Sequence, residues 1–375
     1  MCLHMRKVYI IYRSFFDMKG DNYMVGGIQT YIRQLTELIK KRGDTPIIVQ
    51  FADDNFEKNY NDICVYGVDV KGITKEHKKS KLVLDFIKKS FKKEDILIFA
   101  TEDIFIPSFT NNVIVIQHGI TWDLPVERGE ILKIKGLKKF LWGYVHLFNT
   151  RKIKKLVCVD HNYVNWVRAQ GIPISKTLYP IPNCTYIDND IYIRNDEEVR
   201  IIFARRFEKY RGTRLFAASI ERVLRKYPNV YVTFAGRGPD EEYLKRLFES
   251  NDRVEFITYQ SDKSLEIHKK YDIAVVPTLG SEGTSLSLLE AMACKCAVIA
   301  TNIGGITNII LDRYNGLLIM PDEKLLTEAL EKLIIDKELR KTIGENAYLT
   351  ASKAFNKEVW EEKWEKVLED IDNEI

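Results

Sequence analysis

The sequence predicts two α/β domains, each a parallel sheet covered by helices, facing one another across a cleft. Three observations carry that expectation. The chain has 375 residues, too many for one ordinary core and enough for two domains of roughly 150–200 residues each. Short apolar runs alternate with helix-period segments along its whole length. The alternation stops at a turn-rich passage, YPIPNCTYIDND at 179–190, and then restarts.

The elements follow in order. In the first half the apolar runs Lys7–Tyr12, Pro46–Phe51, Ile96–Ala100, Val113–Gln117 and Leu156–Val159 read as strands. Helical periodicity covers Ile28 to Lys41, Lys81 to Phe91, Gly136 to Asn149 and Asn162 to Gln170. Pro180 and Pro182 then break any helix. Beyond them come strand Arg200–Ala204, helix Arg214–Lys226, strand Val230–Ala235, helix Asp240–Ser250 and strand Val254–Ile257. A helix near Ser264–Lys270, strand Ile273–Pro277, a helix from Ser285, and strands Ala297–Thr301 and Gly316–Ile319 complete the second set. Helices finish the chain. The boundaries expected are therefore 1–187, 188–354, and a terminal helix at 355–375 packing back across to the first domain. Trp360 and Trp364, four apart, lie on one face of that helix and read as core residues. Parallel sheets bind ligands at the carboxyl ends of their strands, so the cleft is the expected site.

Composition narrows the class. Hydrophobic residues at 45% and charged residues at 29% are those of a globular protein. No apolar stretch reaches the roughly 18 residues that a membrane span requires. The start, MCLHMRKVYIIYRSFF, lacks the features of a secretory signal, so a cytoplasmic location is expected. Cys2, Cys64, Cys158, Cys184, Cys294 and Cys296 are scattered and read as reduced thiols, not as a zinc site or a disulfide framework.

The net charge of +4 hides an asymmetry. Residues 1–187 hold 29 Lys and Arg against 19 Asp and Glu, a surplus of ten positive charges, leaving 28 against 34 for the rest. From Arg128 to Lys155 nine basic residues face one acid, Glu130, with Leu137, Phe140, Leu141, Trp142, Tyr144, Leu147 and Phe148 between them. Such a helix docks on anionic lipid headgroups or packs its apolar side on its own domain, and the sequence leaves both open. Nucleic acid is disfavoured, because the charge sits on one half and no nucleic-acid motif accompanies it.

The segment most telling of chemistry is Pro277-Thr-Leu-Gly-Ser-Glu-Gly-Thr-Ser-Leu-Ser-Leu-Leu-Glu-Ala-Met-Ala293. A strand ends, a glycine loop follows, and a helix opens near Thr284 or Ser285, either of which could cap it. Gly283, Thr284, Ser285 and the free N–H groups there favour a diphosphate. Glu282 and Glu290 would repel that anion, so hydroxyls of a sugar and a ribose are their expected partners.

This E-x7-E segment resembles the signature of retaining GT-B glycosyltransferases of family four, the glycosyl transferases group 1. Gly26-Gly27-Ile28 is similar to that family's N-terminal glycine loop, Gln117-His118-Gly119 to its active-site histidine, and Ile181-Pro182-Asn183 to its crossing between domains. Ala204-Arg205-Arg206-Phe207, running to Arg211-Gly212, resembles its basic diphosphate loop, and Gly236-Arg237-Gly238-Pro239 the next strand-end turn. The resemblance implies the GT-B architecture and transfer of a sugar from a nucleoside diphosphate donor, UDP before GDP. The acceptor would be a saccharide or a lipid-linked molecule in bacterial polysaccharide or glycolipid synthesis.

By the same resemblance, His118 sits at the anomeric centre, Glu282 holds the transferred sugar, and Glu290 the ribose. Arg206 and Arg211 clamp the diphosphate, with Arg205 an alternative to Arg206. Gly26, Gly27 and Gly236 permit close approach. No metal and no cofactor are implied, and the enzyme would sit in the cytoplasm or on the inner face of a membrane. Lys295 departs from the family's usual glycine, so the motif helix should end without its left-handed glycine. Asp188-Asn189-Asp190 mimics a metal motif but lies in the linker. Gly236-x-Gly238 lacks the third glycine of a dinucleotide fingerprint. An epimerase on the same fold and a non-catalytic sugar-binding relative are the alternatives.

Overall fold

The computed structural model describes residues 6–120, 134–171, 177–187, 197–280 and 282–375, with backbone alone at 134–140, 142 and 261. Arg128, Glu130, Lys133, Asp188-Asn189-Asp190 and Ser281 lie outside the described residues.

The first sheet contains β1 (Lys7–Tyr12), β2 (Thr45–Ala52), β3 (Phe56–Tyr60), β4 (Ile63–Asp69), β5 (Ile96–Phe99), β6 (Val113–Gln117), β7 (Lys155–Cys158) and β8 (Thr177–Pro180). Their spatial order is β3-β4-β2-β1-β5-β6-β7-β8, parallel throughout except for β3. Helices α1 (Gly27–Lys41), α2 (Glu76–Lys88), α3 (Ile134–Thr150) and α4 (His161–Ala169) connect them. The second sheet is wholly parallel: β9 (Val199–Ala204), β10 (Val230–Ala235), β11 (Val254–Ile257), β12 (Ile273–Val276), β13 (Ala297–Thr301) and β14 (Leu317–Ile319), ordered β11-β10-β9-β12-β13-β14. The helices of this half of the chain are α5 (Thr213–Lys226), α6 (Glu241–Leu247), α7 (Ser264–His268), α8 (Leu286–Ala293), α9 (Glu323–Ile335), α10 (Lys337–Ala354) and α11 (Lys357–Asp372). Central strands are apolar on both faces because helices cover both, which is why they read as continuous runs and not as alternation.

Strand order reverses direction beside β1 in the first sheet and beside β9 in the second. At such a reversal the loops leaving two neighbouring strands turn to opposite faces and leave a crevice at their carboxyl ends. The topology alone therefore points to the loops after β1, β5, β9 and β12.

Three strands lie where the sequence reading has none. β3 and β4 form a hairpin closed by Asn61 and Asp62, with φ of 48° and 60°, the paired left-handed conformation of a type I′ turn. Asn-Asp replaces the more familiar Asn-Gly there, which hides the signal. β8 is an edge strand that ends at Pro180, where a missing N–H removes no ladder bond. α2 begins at Glu76, ahead of the expected Lys81, because the polar stretch EHKKSK shows no apolar period. The Ser80 hydroxyl anchors it by donating to the Ile104 carbonyl at 2.7 Å.

α11 packs on the first sheet. Trp360, Trp364, Val367, Leu368 and Ile371 share one core with Tyr31, Ile32 and Leu35 of α1, and Trp364 Nε1 donates to the Tyr31 hydroxyl at 2.8 Å. Charge reinforces the contact. Residues 357–375 hold eight acids and three lysines, and Arg6 and Arg42 both pair with Asp372, Lys41 with Glu361 and Lys357 with Glu37. Five of the six surplus negative charges of the second half thus sit on this terminal segment, four of them on α11 itself, which meets the basic first half. No helix among the described residues is long and apolar enough to cross a membrane.

The motif helix α8 ends with a left-handed residue after all: Lys295 itself has φ of 56°. The neighbouring α10 leaves no alternative path, since a Cβ on Gly344 would sit 2.4 Å from the Lys295 carbonyl oxygen. A left-handed non-glycine costs about 1–2 kcal/mol. Against this, Lys295 gains a half-exposed pair with Glu345 at 3.3 Å and a position over the Tyr348 ring at 5.0 Å. Lys295→Ala keeps the strain and loses both contacts, whereas Lys295→Gly loses the contacts but relieves the strain. In chemical denaturation, Lys295→Gly should exceed Lys295→Ala in stability by about 1 kcal/mol and lie near the wild type.

Candidate active site

The loop leaving β9 brings the first charge. Burial alternates along it as along a strand: Arg205 is buried, Arg206 exposed, and Phe207 buried in the aromatic cluster of Phe203 and Phe234. Because Phe207 anchors that period, Arg205 turns inward and Arg206 outward. Arg206, the residue named from the sequence, has a side chain 74% exposed and pairs with Glu208 at 3.0 Å. Arg205 takes the inner position in its place.

Arg205 and Arg211 both donate to the same carboxylate oxygen, Glu282 Oε2, at 2.5 Å each, and the Thr278 hydroxyl donates to it at 2.8 Å. Burial alone would raise the Glu282 pKa, but the two guanidiniums and these hydrogen bonds bring it down to about 2. The group is therefore ionised at neutral pH, and the cluster carries one net positive charge. Glycines bring its loops together. At Gly212, φ is 77° and a Cβ would lie 1.8 Å from the Pro277 carbonyl oxygen; at Gly236 a Cβ would lie 2.1 Å from that of Arg205. Gly236, expected to line the donor site, thus has a packing reason of its own. Gly304 and Gly305 lie against the backbone of Glu282 and Gly283, and the Gly305 N–H donates to the Glu282 carbonyl at 2.9 Å.

Neither candidate hydroxyl caps α8. Thr284 donates to the Val159 carbonyl across the cleft, and Ser285 lies 3.4 Å from Ser287, so the first-turn N–H groups of α8 have no side-chain cap. Glu290, in the last turn of the helix, accepts from the Ser264 hydroxyl at 2.6 Å. Burial pushes its carboxyl up to about 7, the Ser264 bond opposing.

The other wall comes from the first sheet. His118 follows β6, and its Nε2 lies 2.9 Å from the Ala100 carbonyl, an acceptor, so Nε2 carries the proton and Nδ1 the lone pair. Its ring meets Tyr31 edge-on at 5.2 Å. Burial holds its pKa near 4, so the imidazole is neutral at pH 7. Gly119, with φ of 103°, presses backbone to backbone on Gly283: a Cβ on Gly119 would lie 3.0 Å from the Gly283 nitrogen. Asn183 donates to the Thr284 carbonyl at 2.6 Å, and a Cβ on Gly27 would meet Leu286 at 3.5 Å. Gly26 is extended, and a Cβ there would meet the Gln29 side chain. The structure thus gathers Gly27, His118, Gly283, Thr284 and Leu286 along one seam, with Glu282, Arg205 and Arg211 beside it.

The sequence reading misses Asp160 on that seam. Asp160 caps α4, one oxygen accepting from the Tyr163 N–H at 2.8 Å. Its other oxygen is buried with no hydrogen-bond partner and faces Gly119 and Gly283. Burial raises its carboxyl to about 6, against the hydrogen bonds from α4. An Asp at a strand end before a helical period is the available signal, and it reads as a cap alone. Among the described residues no three His, Cys, Asp or Glu are grouped as metal ligands.

Residues 188–350 match the family described as glycosyl transferases group 1. An uncharacterised glycosyltransferase of Methanocaldococcus jannaschii is 28% identical over 225 residues, which cover 56% of this chain and 55% of that protein. Alpha-monoglucosyldiacylglycerol synthase of Acholeplasma laidlawii is 27% identical over 229 residues, 59% of this chain and 57% of that one. The chain therefore spans little more than half the length of these relatives. Among solved structures, sucrose-phosphate synthase from Thermosynechococcus elongatus superimposes with a TM-score of 0.77 at 16% identity, covering 99% of this chain and all of that one. HepE of Anabaena, solved in complex with UDP, gives 0.69 at 15% identity, covering 98% of this chain and 100% of that one. At these identities the likeness shows the fold, which is GT-B.

The seam has a pH dependence with a definite sign. A carboxyl raised from 3.8 to about 6 costs nothing while protonated in both folded and unfolded chains. The cost grows as pH climbs from about 4 to 6 and is constant above, with a ceiling near 3 kcal/mol at about 1.4 kcal/mol per unit. Asn caps a helix as well as Asp does. Asp160→Asn should therefore raise the melting temperature at pH 8 and change it little at pH 4; an equal change at both would refute the buried-charge account.

Proposed function

Because residues 188–350 match the glycosyl transferases group 1 and the chain has the GT-B fold, we propose that it moves a sugar from a nucleoside diphosphate donor to a saccharide or lipid-linked acceptor, with retention of anomeric configuration. One observation carries this reading: Arg205 and Arg211 converge on Glu282 at the switch point of the second sheet, beside the uncapped start of α8. That arrangement is one net positive charge plus about half a charge from the helix end. A diphosphate suits it, and the guanidiniums supply the charge that a divalent cation supplies elsewhere, so the reaction runs without metal or cofactor.

In this reading the diphosphate draws Arg205 and Arg211 towards itself, and Glu282 turns its freed acceptor capacity to hydroxyls of the donor sugar. Glu290 accepts from the ribose. Neutral His118 offers Nδ1 as an acceptor at the reacting sugar. The bond from the anomeric carbon to the diphosphate oxygen breaks, the acceptor oxygen bonds the same face, and its proton passes to the departing phosphate. Catalysis then rests on stabilising phosphate charge, each well-placed donor contributing about 3–4 kcal/mol. The UDP held by HepE supports UDP as the first nucleotide to test, and the lipid product named for the Acholeplasma relative supports a lipid-linked acceptor. Bacterial polysaccharide or glycolipid assembly is the setting that fits both.

A thermal-shift panel of UDP, GDP, ADP and TDP, with and without EDTA, tests the donor side. One nucleotide at about 100 times its dissociation constant should stabilise by about 2.7 kcal/mol, indifferent to EDTA. Arg205→Ala should lower turnover about 10²–10³-fold, and Arg206→Ala less than twofold. Reversed effects would overturn the assignment of the inner arginine. Ribose binding needs Glu290 ionised, so affinity for the nucleotide should rise from pH 6 to pH 8 as the group loses its proton near 7. Glu290→Gln should flatten that rise and weaken binding about tenfold or more.

A further inference from the structure

From Gly143 to Thr150, with Leu141, the described side chains of α3 are apolar on two faces. Its inner face, Gly143, Leu147 and Thr150, is buried, and His146 lies 2.9 Å from the Tyr163 hydroxyl of α4. A helix so seated should turn polar residues to water. Instead Leu141, Val145 and Phe148, at the i, i+4, i+7 spacing of a single stripe, are 50%, 48% and 55% exposed, with Tyr144 alongside at 41%. Packing on its own domain, one of the two readings the sequence allows, accounts for Leu147 and not for this stripe.

The sequence along it carries charge of one sign, although Lys155 at its end is buried and paired with Glu374. From Ile131 to Val159 the sequence holds eight Lys and Arg and no Asp or Glu. Arg151 lies over the Phe148 ring at 5.7 Å, Lys152 is exposed beside it, and Lys154 reaches Asn111 at 3.0 Å. Among the described residues Arg151 and Lys152 form no ion pair. This sets them apart from Arg6, Lys41 and Arg42, whose charge α11 meets.

We propose that the outer face of α3 docks on an anionic lipid surface, Leu141, Val145 and Phe148 entering the interface while Arg151 and Lys152 meet the headgroups. A second copy of this chain would bring the same basic face against itself, and like charges oppose that pairing. An acidic protein would satisfy the charge but gives no reason for three aliphatic and aromatic side chains in line. A bilayer satisfies both, because its headgroups carry diffuse negative charge above an apolar layer.

The test uses the full chain with large unilamellar vesicles in a flotation assay, phosphatidylcholine alone against phosphatidylcholine with about 30% phosphatidylglycerol. Binding should appear with the anionic vesicles only and fall at least tenfold between 50 and 500 mM NaCl. Phe148→Ser with Leu141→Ser should weaken it at least tenfold, as should Arg151→Glu with Lys152→Glu, since each basic residue contributes about fivefold. These side chains are exposed, and an unchanged melting temperature will establish that each variant is folded. No flotation at 50 mM NaCl, or flotation that ignores the apolar substitutions, overturns the proposal. So does a concentration-dependent dimer in sedimentation velocity that Phe148→Ser abolishes.

Discussion

The arrangement of the second domain follows from one buried carboxylate. Glu282 is ionised in a place that water does not reach, and such a charge persists only where it is paired and hydrogen-bonded. Arg205, Arg211 and Thr278 meet that need at one oxygen, the two arginines from the loop after β9 and Thr278 from the loop after β12 that carries Glu282 itself. The loops must therefore approach closely, and glycine supplies the approach at Gly212, Gly236, Gly304 and Gly305, where a Cβ would fall within 1.8 to 2.5 Å of a carbonyl oxygen. The same pairing gathers two guanidiniums at one place, so an anion that draws them from Glu282 need not assemble them from solvent.

A second constraint couples the end of the chain to its beginning. α11 presents Trp360 and Trp364 to Tyr31, and Tyr31 in turn abuts His118. The imidazole is thereby held between the Ala100 carbonyl and an aromatic edge, with one ring nitrogen committed. The ion pairs of Arg6, Lys41, Arg42 and Lys357 with Asp372, Glu361, Glu365 and Glu37 ring this apolar contact. Exposed pairs of this kind contribute little singly. Their placement at the margin of a buried Trp-Tyr contact fixes register more than it adds stability.

Much of this was legible in the sequence, for reasons that vary by residue. The buried central strands announce themselves as apolar runs, and the glycine loop with its two glutamates stands at a strand-to-helix junction that sequence alone locates. The inner arginine was not legible. Two arginines in succession are equivalent to any periodicity that ends with the strand, and only the anchoring of Phe207 decides between them. The hairpin at β3 and β4 was hidden because its polar strands lie at the sheet edge, where one face meets water and the turn is Asn-Asp. Asp160 was invisible as anything but a helix cap, since its exceptional feature is a contact with Gly283, more than a hundred positions away. Lys295 shows a limit of another kind: the chain takes the left-handed conformation that α10 demands, whatever residue stands there.

The seam where Gly283 meets Gly119 carries an argument about motion. Backbone lies on backbone there, leaving no space for a substrate between the two walls at that point. Asp160 faces the same contact with one oxygen unpaired, and an ionised oxygen without a donor in a dry contact opposes the contact that dries it. Thr284 and Asn183 favour closure through hydrogen bonds across the seam, and Leu286 through its apolar contact with Gly27. Two hydrogen bonds of about 1 kcal/mol each are of the same order as the cost of that buried charge. Closure at neutral pH is then a near balance, and separating the walls would give the Asp160 oxygen access to water. A seam balanced in this way opens and closes on small changes in the contacts across it.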